Sequence, residues 1–408
     1  MKLKNLLMGF IAFVMCGATF TAQGQWDISA TSADHVTATF DNVSGTLTIS
    51  GTGKMKDYPY ESDAPFQSIS ASITSLIIES GLTSVGSYAF YNCSNIAGNV
   101  TLPNTILSIG KSAFQYCSSI TSINIPDHVT SIGDDAFDRC SGIASIIIPN
   151  SVISIGEGAF VGCYSITSVT IPASVTSIGV YAFYMCPALT AIDVVESNQF
   201  FSSDGGVLFD KNKQTLIYCP DGKTGDYVIP NTVSTIKIYA FIYSKGLTSI
   251  TIPASISSIE VSAIAYCSGL TSLTCLNPDP SSIVLGNMVF AGGTIPSCTL
   301  YVPEDAVSLY QNADQWRDFY PNIKGVAAGI AAVEIQNLKI FPNPVKNELC
   351  ITAESPINKV EIYSSDGKML MQENNFTGTM NVSSLTKGLY MVKVYAAKGE
   401  ATVEIVKK

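Results

Sequence analysis

The dipeptide Ala-Phe recurs at a nearly fixed interval through the middle of the chain, and this regularity constrains the fold more than any other feature of the sequence. The six copies are Ala89-Phe90, Ala113-Phe114, Ala136-Phe137, Ala159-Phe160, Ala182-Phe183 and Ala240-Phe241. Successive alanines lie 24, 23, 23, 23 and 58 residues apart, and Ala263-Ile264 continues the series after a further 23. A proline precedes most of these alanines by ten residues, and a cysteine follows most of them by four. Two markers in one phase predict a stack of about 23-residue units, each of which packs mainly on its neighbours.

The unit that begins at Ile120 shows how one repeat can fold. Its first segment is Ile120-Thr-Ser-Ile-Asn-Ile-Pro126, and apolar and polar residues alternate at the end of this segment as they do in a β-strand. The proline lacks the amide donor that would extend the strand. Gly133 then turns the chain, Ala136 is small enough for neighbouring units to approach closely, and Phe137 can fill the centre. Because no unit can bury this apolar set alone, the sequence predicts a mostly β solenoid. We expect one parallel sheet of short strands along one side and a stack of phenylalanines inside.

These units resemble the BspA-like leucine-rich-repeat family. The likeness is carried by segments such as Ile166-Thr-Ser-Val-Thr-Ile-Pro172, followed by Val175-Thr-Ser-Ile-Gly179 and Ala182-Phe183. It extends over residues 73–324. The resemblance implies a leucine-rich-repeat solenoid on the surface of a bacterium, in a family whose members are implicated in adhesion to host matrix proteins or other cells.

Two segments depart from the repeat, and a third precedes it. Residues 198–222 lie within the long step of 58 and contain two strand-like runs about Asp210–Gln214, so they predict a hairpin-type insertion. Residues Thr299–Phe319 resemble the closing unit of the family. Ahead of the repeats, residues 25–72 contain two alternating runs about the turn Asp41–Gly45. They predict a β-hairpin that caps the open end of the solenoid.

The first 24 residues have the pattern of a secretory signal peptide. Two lysines precede an apolar run from Leu6 to Phe20, and Ala22-Gln-Gly24 places small residues where a signal peptidase reads them. We expect cleavage after Gly24. Cys16 raises the alternative of a lipoprotein signal, although Val14-Met15 fits that site poorly.

The C-terminal part of the chain follows a different pattern. Residues 325–334 are small and apolar without a period and predict a linker, and residues 335–408 contain about seven short alternating runs, which predict a small Ig-like β-sandwich. This segment resembles the C-terminal sorting domain of type IX secretion. The residues that carry the likeness are Phe341, Pro342, Asn343, Pro344, Leu349, Ile351, Ile362, Tyr363, Asp366, Gly367, Lys368, Leu385, Gly388, Tyr390, Lys407 and Lys408. The resemblance implies recognition by the type IX secretion machinery, with the protein secreted or displayed on the outer-membrane cell surface of a Gram-negative bacterium.

The charge balance argues against several classes of partner. Lys and Arg number 22 against 32 Asp and Glu, which gives a formal net charge of −10 at pH 7, and no basic cluster stands out. This balance disfavours nucleic acid and anionic membrane surfaces as partners. After residue 24 no run of about 18 apolar residues occurs, so we expect no transmembrane span in the mature chain.

The sequence offers little catalytic or metal-binding chemistry. Its two histidines, His35 and His128, lie outside any recognisable nucleophile motif, and no Cys-x-x-Cys pair or histidine cluster suggests zinc. We therefore expect no enzyme activity, no cofactor and no metal. The recurrent cysteines are expected to be small buried residues without disulfides, whereas Cys275 and Cys298 are the candidates for a bridge.

The candidate binding residues follow from the strand pattern. The residues that alternate away from the core are mostly short and uncharged, and the candidates among them are Thr121, Ser122, Asn124, Thr167, Ser168, Thr170, Thr248, Ser249 and Thr251. Such a face lacks the Trp, Tyr and Arg anchors of tight interfaces and predicts weak, repeated contacts. Aromatic residues are expected in the irregular parts instead, where Phe200 and Phe201 of the insertion are candidates for specificity, unless they simply pack on the solenoid.

The sequence therefore predicts a secreted binding protein that adheres to host or microbial surface proteins or glycans. The alternatives are a structural surface spacer and a secreted polysaccharide- or peptide-degrading hydrolase.

Overall fold

The structure, a computed structural model, describes residues 22–293, 295, 298–326, 338–364, 368–396 and 399–408. The described residues divide into two units, which are separated in the sequence at the bond between Lys324 and Gly325. Most of the expected signal peptide and most of the expected linker lie outside the described residues.

Most regular turns of the N-terminal unit contain two strands, where the sequence predicted one; the turn that includes Ser154–Ile155 has only its short strand, since residues 143–148 form no strand. The longer strand has the predicted position, and a second strand of only two residues follows it, as at Ser131–Ile132. Short strands of successive turns pair in parallel, with Ser154 beside Ser131 on one side and Ser177 on the other. The prediction of a single sheet was therefore wrong, because parallel sheets line two sides of the solenoid.

The strands of these sheets have the following bounds. The long strands are Ser75–Ile78, Gly98–Thr101, Ile120–Asn124, Ser168–Ile171, Ala191–Val194, Gly225–Val228, Leu247–Ile252, Ser272–Cys275, Thr299–Pro303 and Ile323–Val326. The short strands are Leu82–Val85, Ser108–Ile109, Ser131–Ile132, Ser154–Ile155, Ser177–Ile178, Thr235–Ile236, Ser258–Ile259 and Val284–Leu285. The helical segments are Val307–Tyr310, which is α-helical, and Gln67–Ser72, Pro280–Ser282, Glu304–Ala306 and Trp316–Phe319, which are 3-10 helical.

An N-terminal cap begins both sheets. Its three antiparallel strands are Ala22–Asp27, His35–Asp41 and Thr46–Lys54, so the predicted hairpin is present with one further strand. The third cap strand pairs in parallel with Ser75–Ile78 through its first half and with Leu82–Val85 through its end. One strand therefore covers the edges of both sheets, which would otherwise present unpaired backbone groups.

A buried phenylalanine from each turn stacks on the ring of the next turn, as the repeat predicted. The ring centroids are 5.2 Å apart for Phe90 and Phe114, 5.6 Å for Phe114 and Phe137, 5.5 Å for Phe137 and Phe160, and 5.6 Å for Phe160 and Phe183. Phe66 extends the stack at 6.0 Å from Phe90. The stack stops at Phe183, because Phe241 is buried against Tyr227 at 5.9 Å instead. The expectation that Phe241 would join the stack was therefore wrong.

Close approach of the backbones accompanies this stacking. A Cβ on Gly133 would lie 2.6 Å from the Gly110 carbonyl carbon, so the residue after the short strand cannot carry a side chain there. On the third side of each turn the Phe114 amide donates to the Ala136 carbonyl at 2.9 Å, and the Phe137 amide donates to Ala159 at 2.9 Å. These bonds join the turns where no sheet is present.

The recurrent cysteines have a specific partner in this arrangement. From Cys117 onward, the thiol of each donates to the carbonyl of the phenylalanine one turn earlier, as from Cys117 to Phe90 at 3.0 Å and from Cys140 to Phe114 at 3.0 Å. Burial raises the pKa of Cys93 to about 12. All ten described cysteines are free, including the bridge candidates Cys275 and Cys298.

The C-terminal unit is a β-sandwich, as predicted. Its seven described strands form two antiparallel sheets around one core. The strands are Lys339–Phe341, Glu348–Thr352 and Thr379–Asn381 in one sheet, and Ile357–Ser364, Met369–Asn374, Gly388–Ala396 and Gly399–Lys407 in the other.

Replacing Phe137 with Ala should lower the free energy of unfolding by about 3–5 kcal/mol, because it removes a fully buried ring from the middle of the stack. Urea denaturation of the purified protein measures the change. Ile147, which is 80% exposed, gives the control, since Ile147→Ala should change stability by less than about 0.5 kcal/mol. Equal effects of the two substitutions would contradict the stacked core.

The thiols of Cys117, Cys140 and Cys163 should resist alkylation by iodoacetamide in the folded protein, because they are buried and their thiolate forms are disfavoured. The half-buried Cys350 should react first and serves as the internal comparison. Mass spectrometry of timed, unreduced samples gives the order of labelling. A disulfide within the row, or labelling of the row ahead of Cys350, would count against this packing.

Candidate functional site

The predicted Ser/Thr residues point outward on the side of the solenoid that carries the long strands, which form three separate sheets there; we call this side the long-strand face. All nine candidates are exposed or partly exposed, and the backbone register aligns equivalent positions along the solenoid. Thr170 lies beside Asp193 in the next turn, and Thr251 lies beside Thr274. The strand alternation therefore predicted the side on which these residues lie.

Neighbouring turns already use many of the polar groups on this face. The Asn124 side chain accepts from the Leu102 amide at 2.8 Å and donates to the Leu102 carbonyl at 3.1 Å. The hydroxyls of Thr248 and Ser249 both donate to Asp226 at 2.7 Å, and these bonds lower the pKa of that carboxyl. Ser122 likewise donates to Asn99. These side chains hold successive turns together, which reduces what they can offer a partner.

The candidates of the middle turn are less committed. Among the described residues, the hydroxyls of Thr167, Ser168 and Thr170 donate no hydrogen bond to a neighbouring turn, and all three residues are exposed. Ile147 lies one turn earlier at the position equivalent to Thr170 and is 80% exposed. The accessible part of the face is therefore centred on these two turns.

The insertion is part of the solenoid core and not an appendage. It contains three antiparallel strands, Phe201–Asp204, Val207–Asp210 and Thr215–Tyr218, where the sequence predicted a two-stranded hairpin. Leu208 packs into the core of the preceding turns, whereas Val207 and Phe209 pack into the core of the following turns. The middle strand of the insertion therefore connects two hydrophobic cores.

The two aromatic candidates of the insertion differ in accessibility. Phe201 is half-buried against the preceding core, so its main contacts are structural. Phe200 is 50% exposed and remains available to a partner. The backbone amides of both residues donate to the buried Asn198 side chain, which fixes this bend.

The insertion also replaces the backbone bonds that would join the Phe183 turn to the Phe241 turn. The Tyr218 hydroxyl lies 3.0 Å from the Phe183 carbonyl and 2.7 Å from Asp221. The Asp221 carboxyl accepts from the Cys186 amide at 3.0 Å, and the Cys219 amide donates to the Ala240 carbonyl at 2.7 Å. Side chains of the insertion thus satisfy backbone groups that other turns satisfy directly.

Asp221 is held in a position that favours its neutral form. Burial raises its pKa from 3.8 to about 6. A protonated Asp221 can donate to the Tyr218 oxygen, and the single Tyr218 proton can then go to the Phe183 carbonyl. This proton arrangement satisfies all three groups, whereas an ionised Asp221 competes with the carbonyl for the same proton.

A cleft opens beside the insertion, where the two turns separate. It has a volume of about 250 Å³, and we name it the aromatic cleft. Its lining residues are Ile178, Gly179, Val180, Tyr181, Ala182, Phe183, Tyr184, Phe201, Ile217, Tyr218, Lys237, Ile238 and Tyr239. The rings of Tyr181 and Tyr239 pack against each other in its wall, with centroids 4.9 Å apart. The expectation that surface aromatics would be confined to irregular segments was therefore wrong, because these tyrosines belong to the repeat.

The described residues contain no cluster of three or more His, Cys, Asp or Glu with metal-binding geometry. Within the same described residues, no helix has both the length and the apolar character needed to cross a membrane.

Several residues of the sorting motif hold the C-terminal sandwich together. The Asn343 side chain accepts from the Val406 amide at 2.9 Å, which joins the motif to the last strand, and Lys407 is buried. The Tyr390 hydroxyl donates to the Thr386 carbonyl at 2.8 Å, and Gly388 pairs with Lys407. Among the remaining motif residues, Pro342, Pro344 and Lys408 are exposed, and Asp366 and Gly367 lie outside the described residues.

Two family models match the chain. The BspA type leucine rich repeat region matches residues 62–200 and 219–312 in six copies, and the secretion system C-terminal sorting domain matches residues 339–408. The first model leaves out residues 201–218, which form the three strands of the insertion. A search of curated protein sequences gave no significant match.

Solved structures of bacterial leucine-rich-repeat proteins resemble the chain. One from Eubacterium ventriosum is 28% identical, with a TM-score of 0.59, and the match covers 68% of this chain and 72% of that one. A leucine rich cell surface protein from Faecalibacterium prausnitzii is 27% identical, with a TM-score of 0.47, covering 66% of this chain and 83% of that one. A leucine-rich repeat protein from Bacteroides ovatus is 24% identical, with a TM-score of 0.42 and coverages of 66% and 70%.

The buried Asp221 should make stability fall as pH rises through the window between 3.8 and about 6. A carboxyl whose pKa is higher in the folded protein contributes stability below the pKa of the unfolded chain, and that contribution is lost as pH rises through the folded pKa. The loss should reach roughly 3 kcal/mol, from about 1.4 kcal/mol for each unit of pKa. Asp221→Asn should abolish it, and urea denaturation of both proteins from pH 4 to pH 7 checks this. Parallel pH curves for wild type and variant would show that folding does not raise the pKa of Asp221.

Proposed function

Because the chain belongs to the BspA-type leucine-rich repeat family and carries a secretion system sorting domain, we propose that this secreted or cell-surface protein of a Gram-negative bacterium is an adhesin. Its partners in this proposal are surface proteins or glycans of a host or of other microbes. The type IX secretion machinery would recognise its C-terminal domain. Both matching families are non-catalytic, so we do not propose the hydrolase alternative.

The observation that carries the proposal is the long-strand face. Large apolar side chains lie on it among the hydroxyls, with Ile77 49%, Ile147 80% and Val228 48% exposed. Exposure of each of these side chains has a free-energy cost in water that a partner can relieve. The face is also nearly uncharged and repeats with the turns, so each contact can be weak while many copies on one cell give firm attachment.

The adhesion test should use point substitutions and not removal of the insertion. Residues 198–222 include buried Val207, Leu208 and Phe209, so deletion would expose two cores and disrupt folding. Ile147→Lys places a charge at the centre of the accessible face. Ile153→Lys is the matched control, because Ile153 is also exposed, at 50%, and precedes a short strand on another side of the same turn.

Beads coated with the full-length protein should adhere to collagen or laminin surfaces, or to epithelial or bacterial cells, and Ile147→Lys should reduce this adhesion by about tenfold or more. Ile153→Lys should leave it unchanged. Thermal melts establish that both variants are folded. Failure of wild-type beads to adhere to any of these surfaces would instead favour a structural spacer. Equal losses in the two variants would exclude the long-strand face as the binding surface.

A further inference from the structure

The aromatic cleft exists because two turns do not make the close approach found elsewhere. In regular turns a glycine follows the short strand, as at Gly156 and Gly179, and a Cβ there would lie within 2.5 Å of the preceding turn. After the insertion the short strand Thr235–Ile236 pairs with Thr215–Tyr218 of the insertion and not with Ser177–Ile178, so the backbones of the Phe183 and Phe241 turns do not close in the same way. Among the described residues, no backbone hydrogen bond joins residues 179–184 to residues 237–241. Ile178 is consequently half-exposed, although Ile155, its equivalent one turn earlier, is buried.

The sequence changes character at the cleft in a way that the fold does not require. The residue after the glycine is charged in three successive regular turns, as Lys111, Asp134 and Glu157. At the same position the two turns that form the cleft carry Val180 and Ile238, and the turn after them carries Val261 outside the cleft. Val180 is 47% exposed, so it gains little from burial within the protein itself. A partner that covered it would relieve this unfavourable exposure to water.

Two polar groups of the cleft lining are already paired. The Lys237 ammonium lies 2.9 Å from the Glu260 carboxylate, and the Tyr218 hydroxyl is bonded to Phe183 and Asp221. A sugar bound at the base of the cleft would leave several hydroxyls without partners, which is costly. A charged ligand would find no free opposite charge there. The walls therefore favour an uncharged apolar group.

The dimensions point to a single side chain. A volume of about 250 Å³ is smaller than most pockets for whole small-molecule ligands, which start near 300 Å³. The tilted rings of Tyr181 and Tyr239, with centroids 4.9 Å apart, offer faces and edges to another aromatic ring. Anchors of this kind dominate the affinity of many protein interfaces.

We propose that the aromatic cleft is an anchor pocket that takes one aromatic or branched aliphatic side chain from a protein partner. The pocket supplies the specific contact that the Ser/Thr face lacks. The inference rests on the proposed binding function for the existence of such a partner, but the pocket can be tested without one.

The test is a titration of the full chain, labelled at isoleucine methyl groups, with N-acetyl-tryptophanamide and N-acetyl-leucinamide. Both probes should shift the methyl resonances of Ile178, Ile217 and Ile238 in a saturable manner at millimolar concentration. N-acetyl-aspartamide and N-acetylglucosamine should not shift them. Saturable shifts by the sugar alone would overturn the proposal in favour of a glycan site, and the absence of shifts with every probe would overturn it altogether.

Val180→Glu gives the decisive variant, because Glu157 shows that the fold accepts this side chain at the equivalent position. It should weaken binding of both amides at least tenfold. Val261→Glu is the matched control, since Val261 holds the same position one turn further and does not line the cleft. Equal effects of the two variants would overturn the assignment of the pocket. The adhesion assay with Ile147→Lys concerns another side of the solenoid. The proposed adhesion surface and the proposed pocket can therefore each be refuted without the other.

Discussion

The close approach of successive turns is the constraint on which this structure depends. One phenylalanine per turn reaches the centre, and its ring contacts the rings above and below at 5.2–5.6 Å. Neither end of such a stack can be left open, because the last ring would face water. Trp26 covers Phe66 edge-on at 5.9 Å, and in the second core, beyond the insertion, Trp316 and Phe319 cover Phe290. The two caps are therefore as necessary to the core as the repeat itself.

The sequence predicted the solenoid because its period is a property of the chain, whereas details within a turn depend on contacts between turns. A two-residue strand such as Ser131–Ile132 is too short to alternate, so its sheet was invisible in the pattern. Phe66 was missed because Pro65 separates it from Ala64 and disguises the marker dipeptide. The buried cysteines were predicted, but their bonds to phenylalanine carbonyls required the register of neighbouring turns.

The sequence predicted the candidate site only in part, as it did the fold. Alternation assigned the outward face correctly, but it could not show that Asn124 binds the Leu102 backbone or that Thr248 donates to Asp226. The sequence did not indicate the places of Tyr181 and Tyr239. Their φ angles are 62° and 60°, and bulky residues rarely adopt this backbone conformation, so nothing in the residue type pointed to it. Each regular turn has a residue in this conformation. The fold therefore fixes the backbone at this position, and the side chain there remains available to contact a partner.

Close packing also explains where a pocket can arise in such a molecule. Between regular turns, glycine contacts and stacked rings leave no room for a guest, so a cavity large enough for a side chain requires an interruption of the stack. An interruption normally leaves backbone groups unsatisfied, which opposes folding. Here Tyr218 and Asp221 satisfy those groups, and Leu208 and Phe209 keep the cores on both sides filled. The insertion can therefore hold two turns apart without breaking the solenoid, and the space between them is available for binding.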